Sequence, residues 1–116
     1  MRHNNKVKTL DRPKEARELM LRNMASSVLL YEKITTTEAK AKAVKPLVER
    51  LITIAKAGDL TSRRKLIQVL LQKNAIKKAM EVLGERYKTR NGGYTRIVRL
   101  GNRQGDGAKM VQLELV

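Results

Sequence analysis

"YTRIVRLGNRQGDGAKMVQLELV", residues 94–116, decides the fold. Its last part, 110–116, alternates: Val111, Leu113 and Leu115 fall on one face, Gln112 and Glu114 on the other. That is the period of a half-buried strand. Residues 94–100 are also strand-like, with Tyr94, Arg96, Val98 and Leu100 on one side and Thr95, Ile97 and Arg99 on the other. The arginines thus fall on both faces, and the pattern assigns no single binding side. Residues 101–109 form a glycine-rich loop too polar to bury. Two strands joined by one loop make an antiparallel hairpin.

Upstream the period changes to that of helices. Pro13 suits the first position of a helix over 13–30, with Asp11 or Arg12 at the cap and Glu15 and Glu18 where the helix dipole favours acids. Its apolar spacing runs through Ala16, Leu19, Met20, Met24 and Val28, and its balanced charge marks it as core. "YEKITTT", 31–37, reads as a short strand that joins the hairpin. Thr35 with Glu38 forms a capping box for a second helix, whose stripe is Val44, Leu47, Val48, Leu51, Ile52 and Ala55; Pro46 bends it and Gly58 ends it. Asp59 caps a third helix with Leu66, Ile67, Leu70 and Leu71 on its buried side. Asn74 caps a short fourth helix that Gly84 stops. The expectation is an α/β (α+β) fold: about four helices packed on one face of a small three-stranded sheet. Residues 1–12 read as an extended basic arm and 13–116 as one α/β domain.

The charge narrows the partner. Twenty-six Lys and Arg face eleven Asp and Glu, a formal net charge of +15. Self-repulsion of that size destabilises an isolated compact chain, and a polyanion relieves it. The excess sits in the arm and in the hairpin approach: residues 86–109 alone carry +6. An anionic membrane surface is the rival, but no run of about 20 apolar residues exists to span a bilayer. The N-terminus has no apolar stretch of the signal-peptide kind.

Catalytic chemistry is poorly supported. There are no cysteines, which removes disulfides and thiolate metal sites together. The one histidine, His3, lies in the arm with nothing to orient it as a base. The carboxylates are scattered among lysines and read as caps and solvated ion pairs, not as a metal site. Gly101, Gly105 and Gly107 do not match the dinucleotide-binding pattern, and Lys109 does not complete a Walker loop. The expectation is no enzyme, no metal and no cofactor. Aromatic platforms for single-stranded bases are missing too, which points to phosphates rather than bases. Near the start of the third helix, Arg63, Arg64 and Lys65 sit where the dipole disfavours cations; Asp59 or a bound phosphate offsets them.

Five blocks in register, "MLRNMASSVL" (20–29), "ITTTEAKAKAV" (34–44) with "LITIAK" (51–56), "GDLTSRR" (58–64), "GGYTRIVRLGNRQGDGAKM" (92–110) and the closing "LELV", resemble the bacterial large-subunit ribosomal protein 17 family. "MRH" at the start also fits. The resemblance implies an α/β fold with a small sheet and a basic N-terminal extension. It also implies a place on large-subunit ribosomal RNA, towards the polypeptide exit side and beside neighbouring large-subunit ribosomal proteins, in the cytoplasm, with no membrane, small-molecule substrate, catalysis or cofactor. "NNKVKTL" departs from the Gly- and Arg-richer tail of many members, and Pro46 from a position more often charged.

The candidate RNA contacts are Arg2, His3, Lys6, Lys8 and Arg12 in the arm, Arg22, Arg63 and Arg64 on helices, and Arg90, Tyr94, Arg96, Arg99, Arg103 and Lys109 around the hairpin. Arginine grips phosphate through a planar fork of donors and keeps its charge at any cellular pH. Gly92, Gly93, Gly101, Gly105 and Gly107 permit turns and close backbone approach. Two alternatives stand beside this reading. One is a free-standing nucleic-acid-binding regulator using a helix-turn-helix-like 59–83 region; the other is a metal-dependent nuclease.

Overall fold

The computed structural model describes residue 10 and residues 12–116. Of the expected arm, residues 1–9 and 11 lie outside the described residues. Helix α1 (Lys14–Tyr31) leads through β1 (Lys33–Thr37) into α2 (Glu38–Ala57) and α3 (Leu60–Val69). Helix α4 (Lys73–Lys78) continues through a π-helical turn (Ala79–Leu83) into a last turn, α5 (Gly84–Arg86), and the hairpin follows as β2 (Thr95–Asn102) and β3 (Lys109–Leu115). The fold is α+β, as expected.

The sheet has the order β1-β3-β2, both pairs antiparallel. The alternation of β3 sets its faces: Val111 and Leu113 are buried against the helices, while Gln112 and Glu114 lie on the other side. Register places Ile34 and Ile97 on either side of Leu113, so one apolar row crosses all three strands on the inner face. Between Arg99 and Gly101 the register slips by one residue. Gly101 stands at this bulge with φ +114°, a conformation that costs a side-chain-bearing residue dearly.

Helix α2 is the central beam. Ala41, Val44, Val48, Leu51, Ile52 and Ala55 are all buried, the i, i+3, i+4 stripe that its spacing predicts. The cap is Thr37, whose Oγ1 accepts from Lys40 N–H at 3.4 Å, not Thr35: β1 extends to Thr37, so the cap lies two residues past the expected one. Pro46 lies on the exposed side and the helix runs through it unbroken. Gly58 ends α2 at φ 70°, as expected.

Other expectations need correction. Pro13 stands just before α1 rather than in its first turn. Burial on α1 is confined to its second half, at Ala25, Ser26, Val28 and Leu29; Leu19 is exposed, lining with Ala16 and Met20 an open groove against Ile34, Thr35 and Thr36 of β1. On α3, Ser62 and Leu66 are buried, as is Leu70 just past its end, while Ile67 on the helix and Leu71 in the linker are exposed. A single i, i+4 row touches α2, and residues one step further round the helix miss it. Gln72, not Asn74, precedes α4, and no side chain caps it.

Gly84 is the most informative correction. It does not stop the helix: it is helical at φ −57°, and a Cβ there would stand 2.8 Å from the backbone oxygen of Ala55. The residue is glycine because α2 and the end of the α4–α5 helix touch backbone to backbone. Helix, π turn and Gly84 together bring Ala79, Leu83 and Tyr87 into the core.

Candidate nucleic-acid interface

The β2–β3 hairpin leaves the core at its far end. From Val98 to Gly107 every residue is exposed, and Lys109 is exposed beyond them. The arm so formed is held open by its own loop. Arg103 N–H donates to Ala108 C=O at 2.8 Å, and Gly107 N–H to Arg103 C=O at 3.1 Å. Asp106 closes the loop from inside: its Oδ1 accepts from Ala108 N–H and from Arg103 Nε, both at 3.1 Å, and its Oδ2 from Arg103 Nη2 at 2.5 Å. The Arg103 guanidinium and the Ala108 amide hold the Asp106 carboxyl far below the ordinary carboxylate range. Arg103 therefore builds the loop that exposes it, with Nη1 taking no part in these bonds.

Two cationic groups form around the strands. On the inner face beyond the core, Arg99 and Lys109 meet the start of α2 around Glu38, with Gly101 and Asn102 beside them. Lys42 closes this group through a 2.8 Å ion pair with Glu38. That bond, aided by the fields of Arg99 and Lys109, lowers the Glu38 carboxyl. On the outer face the register aligns Lys33, Glu114 and Arg96 across the three strands. Arg96 Nε donates to Glu114 Oε1 at 2.6 Å, and Gln112 Nε2 to Oε2 at 2.8 Å, which together lower the Glu114 carboxyl. The Arg96 side chain stays 63% exposed. One acid holds each group together, and cations outnumber acids in both.

The approach to the hairpin is rigid. Tyr94 is buried, with its ring centroid 5.2 Å from that of Tyr87. Lys56 Nζ lies 3.1 Å from the Tyr94 hydroxyl, which also bonds Arg90 C=O at 3.3 Å. The hydroxyl is shifted to lower pKa by its bond with Thr53 and by Lys56. The Tyr87 hydroxyl donates to Val116 C=O at 2.8 Å. Arg90 is exposed beside this anchor, its Nε donating to Gly92 C=O at 3.2 Å. Gly92, Gly93, Gly105 and Gly107 all take positive φ in the turns, where a Cβ would meet open space; backbone shape, not crowding, selects them.

Of the sequence-derived contacts, the structure places Arg99, Arg103 and Lys109 on the projecting arm, Arg96 on the outer face near its base and Arg90 exposed at the approach to it. Arg63 and Arg64 are exposed on α3, apart from it, where Asp59 caps the helix by accepting from Ser62 N–H at 2.7 Å. Arg12 is exposed; Arg2, His3, Lys6 and Lys8 lie outside the described residues. Two candidates face inward instead. Arg22 donates from Nε to Val69 C=O at 2.8 Å and from Nη2 to Gln68 C=O at 2.6 Å, completing the last turn of α3. Tyr94 is the buried anchor just described. Lys33 and Lys42 belong to the cationic groups but were not singled out, since only strand register and the α2 cap place them there.

The exposed side of the α4–α5 helix mixes Lys73 and Lys77 with Glu81 and Glu85, so it presents no uniformly cationic recognition face for a helix-turn-helix. Among the described residues no group of three or more His, Asp or Glu could hold a metal ion, and no helix is long and apolar enough to cross a membrane.

Comparison with known proteins shows the family. The chain is 50% identical over 117 residues to the large ribosomal subunit protein bL17 of Hydrogenobaculum sp., covering all of this chain and 99% of the relative. It is 50% identical over 107 residues to that of Caldanaerobacter subterraneus, covering 92% of this chain and 96% of the relative. For the bL17 protein of Agrobacterium fabrum the identity is 45% over 116 residues, covering all of this chain and 82% of the relative. A family model described as Ribosomal protein L17 matches residues 20–116, and the chain belongs to that family.

Proposed function

We propose that this protein is a structural constituent of the large ribosomal subunit, working in the cytoplasm within the ribosome, where it binds and stabilises large-subunit ribosomal RNA through Arg and Lys contacts to phosphate and touches neighbouring ribosomal proteins. It does so without catalysis. The observation that carries the RNA reading is the projecting hairpin: an exposed, self-bonded arm with Arg99, Arg103 and Lys109 on it, and Val98 and Leu100 as its exposed apolar residues. Such an arm is well made for following folded RNA by shape and charge. Its opposing pairs, Arg103–Asp106 and Arg96–Glu114, fix the guanidinium planes beforehand, so less side-chain freedom is lost on binding.

Two measurements test this. High-salt-washed large subunits from the source cell must contain the chain in proportion to their RNA; particles without it overturn the placement. Binding of the purified protein to large-subunit RNA must weaken steeply with salt, and the double variant Arg99→Ala, Lys109→Ala must flatten the log–log slope by about 1.5, the loss of two phosphate contacts. An unchanged slope removes the hairpin from the interface.

A further inference from the structure

We propose that the groove between α3 and α4 is a second docking surface, built for a neighbouring protein of the same particle that presents apolar side chains flanked by carboxylates. Ile67 in α3 is 54% exposed and Leu71, in the linker just past its end, is 48% exposed, and both line the groove. Leu70 continues the apolar floor. Arg63, Lys73 and Lys77 stand round it, and no carboxylate lines the groove. This surface differs from the hairpin in shape: on the hairpin Val98 and Leu100 are exposed along a strand between arginines, whereas here Ile67 and Leu71 line a groove with three cations round it. Phosphates satisfy the ring and leave Ile67 and Leu71 in water. An acid-flanked apolar segment satisfies both, by burying the pair and meeting each cation with an opposite charge. Keeping such a groove rigid also gives a purpose to the Arg22 bonds that complete the end of α3.

The inference rests on the ribosomal reading above, and the test separates the two. A photoreactive benzoylphenylalanine replaces Ile67, and in a second strain Leu71; both sites are exposed and the new side chain is itself apolar. Large subunits are purified and irradiated. Presence of the wild-type chain in the particles tests the ribosomal reading alone. For the groove, the expected result at either position is a protease-sensitive adduct whose partner peptide carries apolar residues next to Asp or Glu. An adduct sensitive only to ribonuclease, an adduct to a basic peptide, or no adduct at both positions in particles that contain the chain overturns the proposal.

Discussion

Replacing Glu32 tests how the helices are tied to the sheet. Glu32 ends α1 in the left-handed region at φ 69°, where glycine is the usual residue. Its carboxylate holds Lys78 at 3.0 Å and also pairs with Arg86, and its backbone C=O accepts from Leu115 N–H at 2.8 Å. One residue thus joins α1, the middle and the end of the α4–α5 helix and the end of β3. The Arg86 and Lys78 bonds lower its carboxyl from 4.5 to about 2. Taken whole, that shift corresponds to about 3.4 kcal/mol. The side chain is 40% exposed, however, and solvent screening reduces the contribution to about 1–2 kcal/mol. Because the folded value is depressed, this stability is fully present above about pH 4.5 and is lost as pH falls towards 2, more than half of it by about pH 3.

Three variants separate carboxylate from backbone. Glu32→Gln and Glu32→Ala each lose about 1–2 kcal/mol near pH 7. Glu32→Gly loses the same pairs but relieves the left-handed strain, so it is about 1 kcal/mol more stable than Glu32→Ala. Urea unfolding followed by far-ultraviolet circular dichroism at about pH 7 and about pH 3 measures all three. The gap between wild type and Glu32→Gln must shrink at the lower pH, a comparison from which the other carboxylates cancel. A gap that is constant with pH refutes the ion-pair account, and equal stability of the Gly and Ala variants refutes the strain account.

Gly84→Ala lowers stability by about 1–2 kcal/mol: the helix-propensity gain of up to about 1 kcal/mol is outweighed by a Cβ that forces two backbones apart. A more stable variant in thermal unfolding would show that the close approach does not decide this position. Arg22→Met costs about 1–2 kcal/mol through two lost bonds to α3 carbonyls and leaves affinity for ribosomal RNA within about twofold. A tenfold loss of affinity at unchanged stability would instead return Arg22 to the RNA surface.

Periodicity revealed those parts of the fold that depend on one segment alone. The α2 stripe and the β3 alternation are local patterns, and both stand where the spacing puts them. What the sequence hides is which elements meet. A glycine after a helical run reads the same whether it turns the chain, as Gly58 does, or admits another backbone, as Gly84 does. Ile67 and Leu71 extend an apolar run of which only Leu66 and Leu70 are buried. The candidate site divides in the same way. Hairpin arginines were legible because loop and strand patterns bracket them, whereas Arg22 resembles any surface arginine until its partners 46 and 47 residues away are brought beside it.

The strand order also bears on synthesis. β3 separates β1 from β2, which do not pair with each other. A growing chain emerges amino end first, so β1 and β2 both wait for residues 109–115 before either gains a ladder. Until that late segment is free, the helical layer has no completed inner sheet face to close upon, and the last strand to be made is the one that locks the architecture.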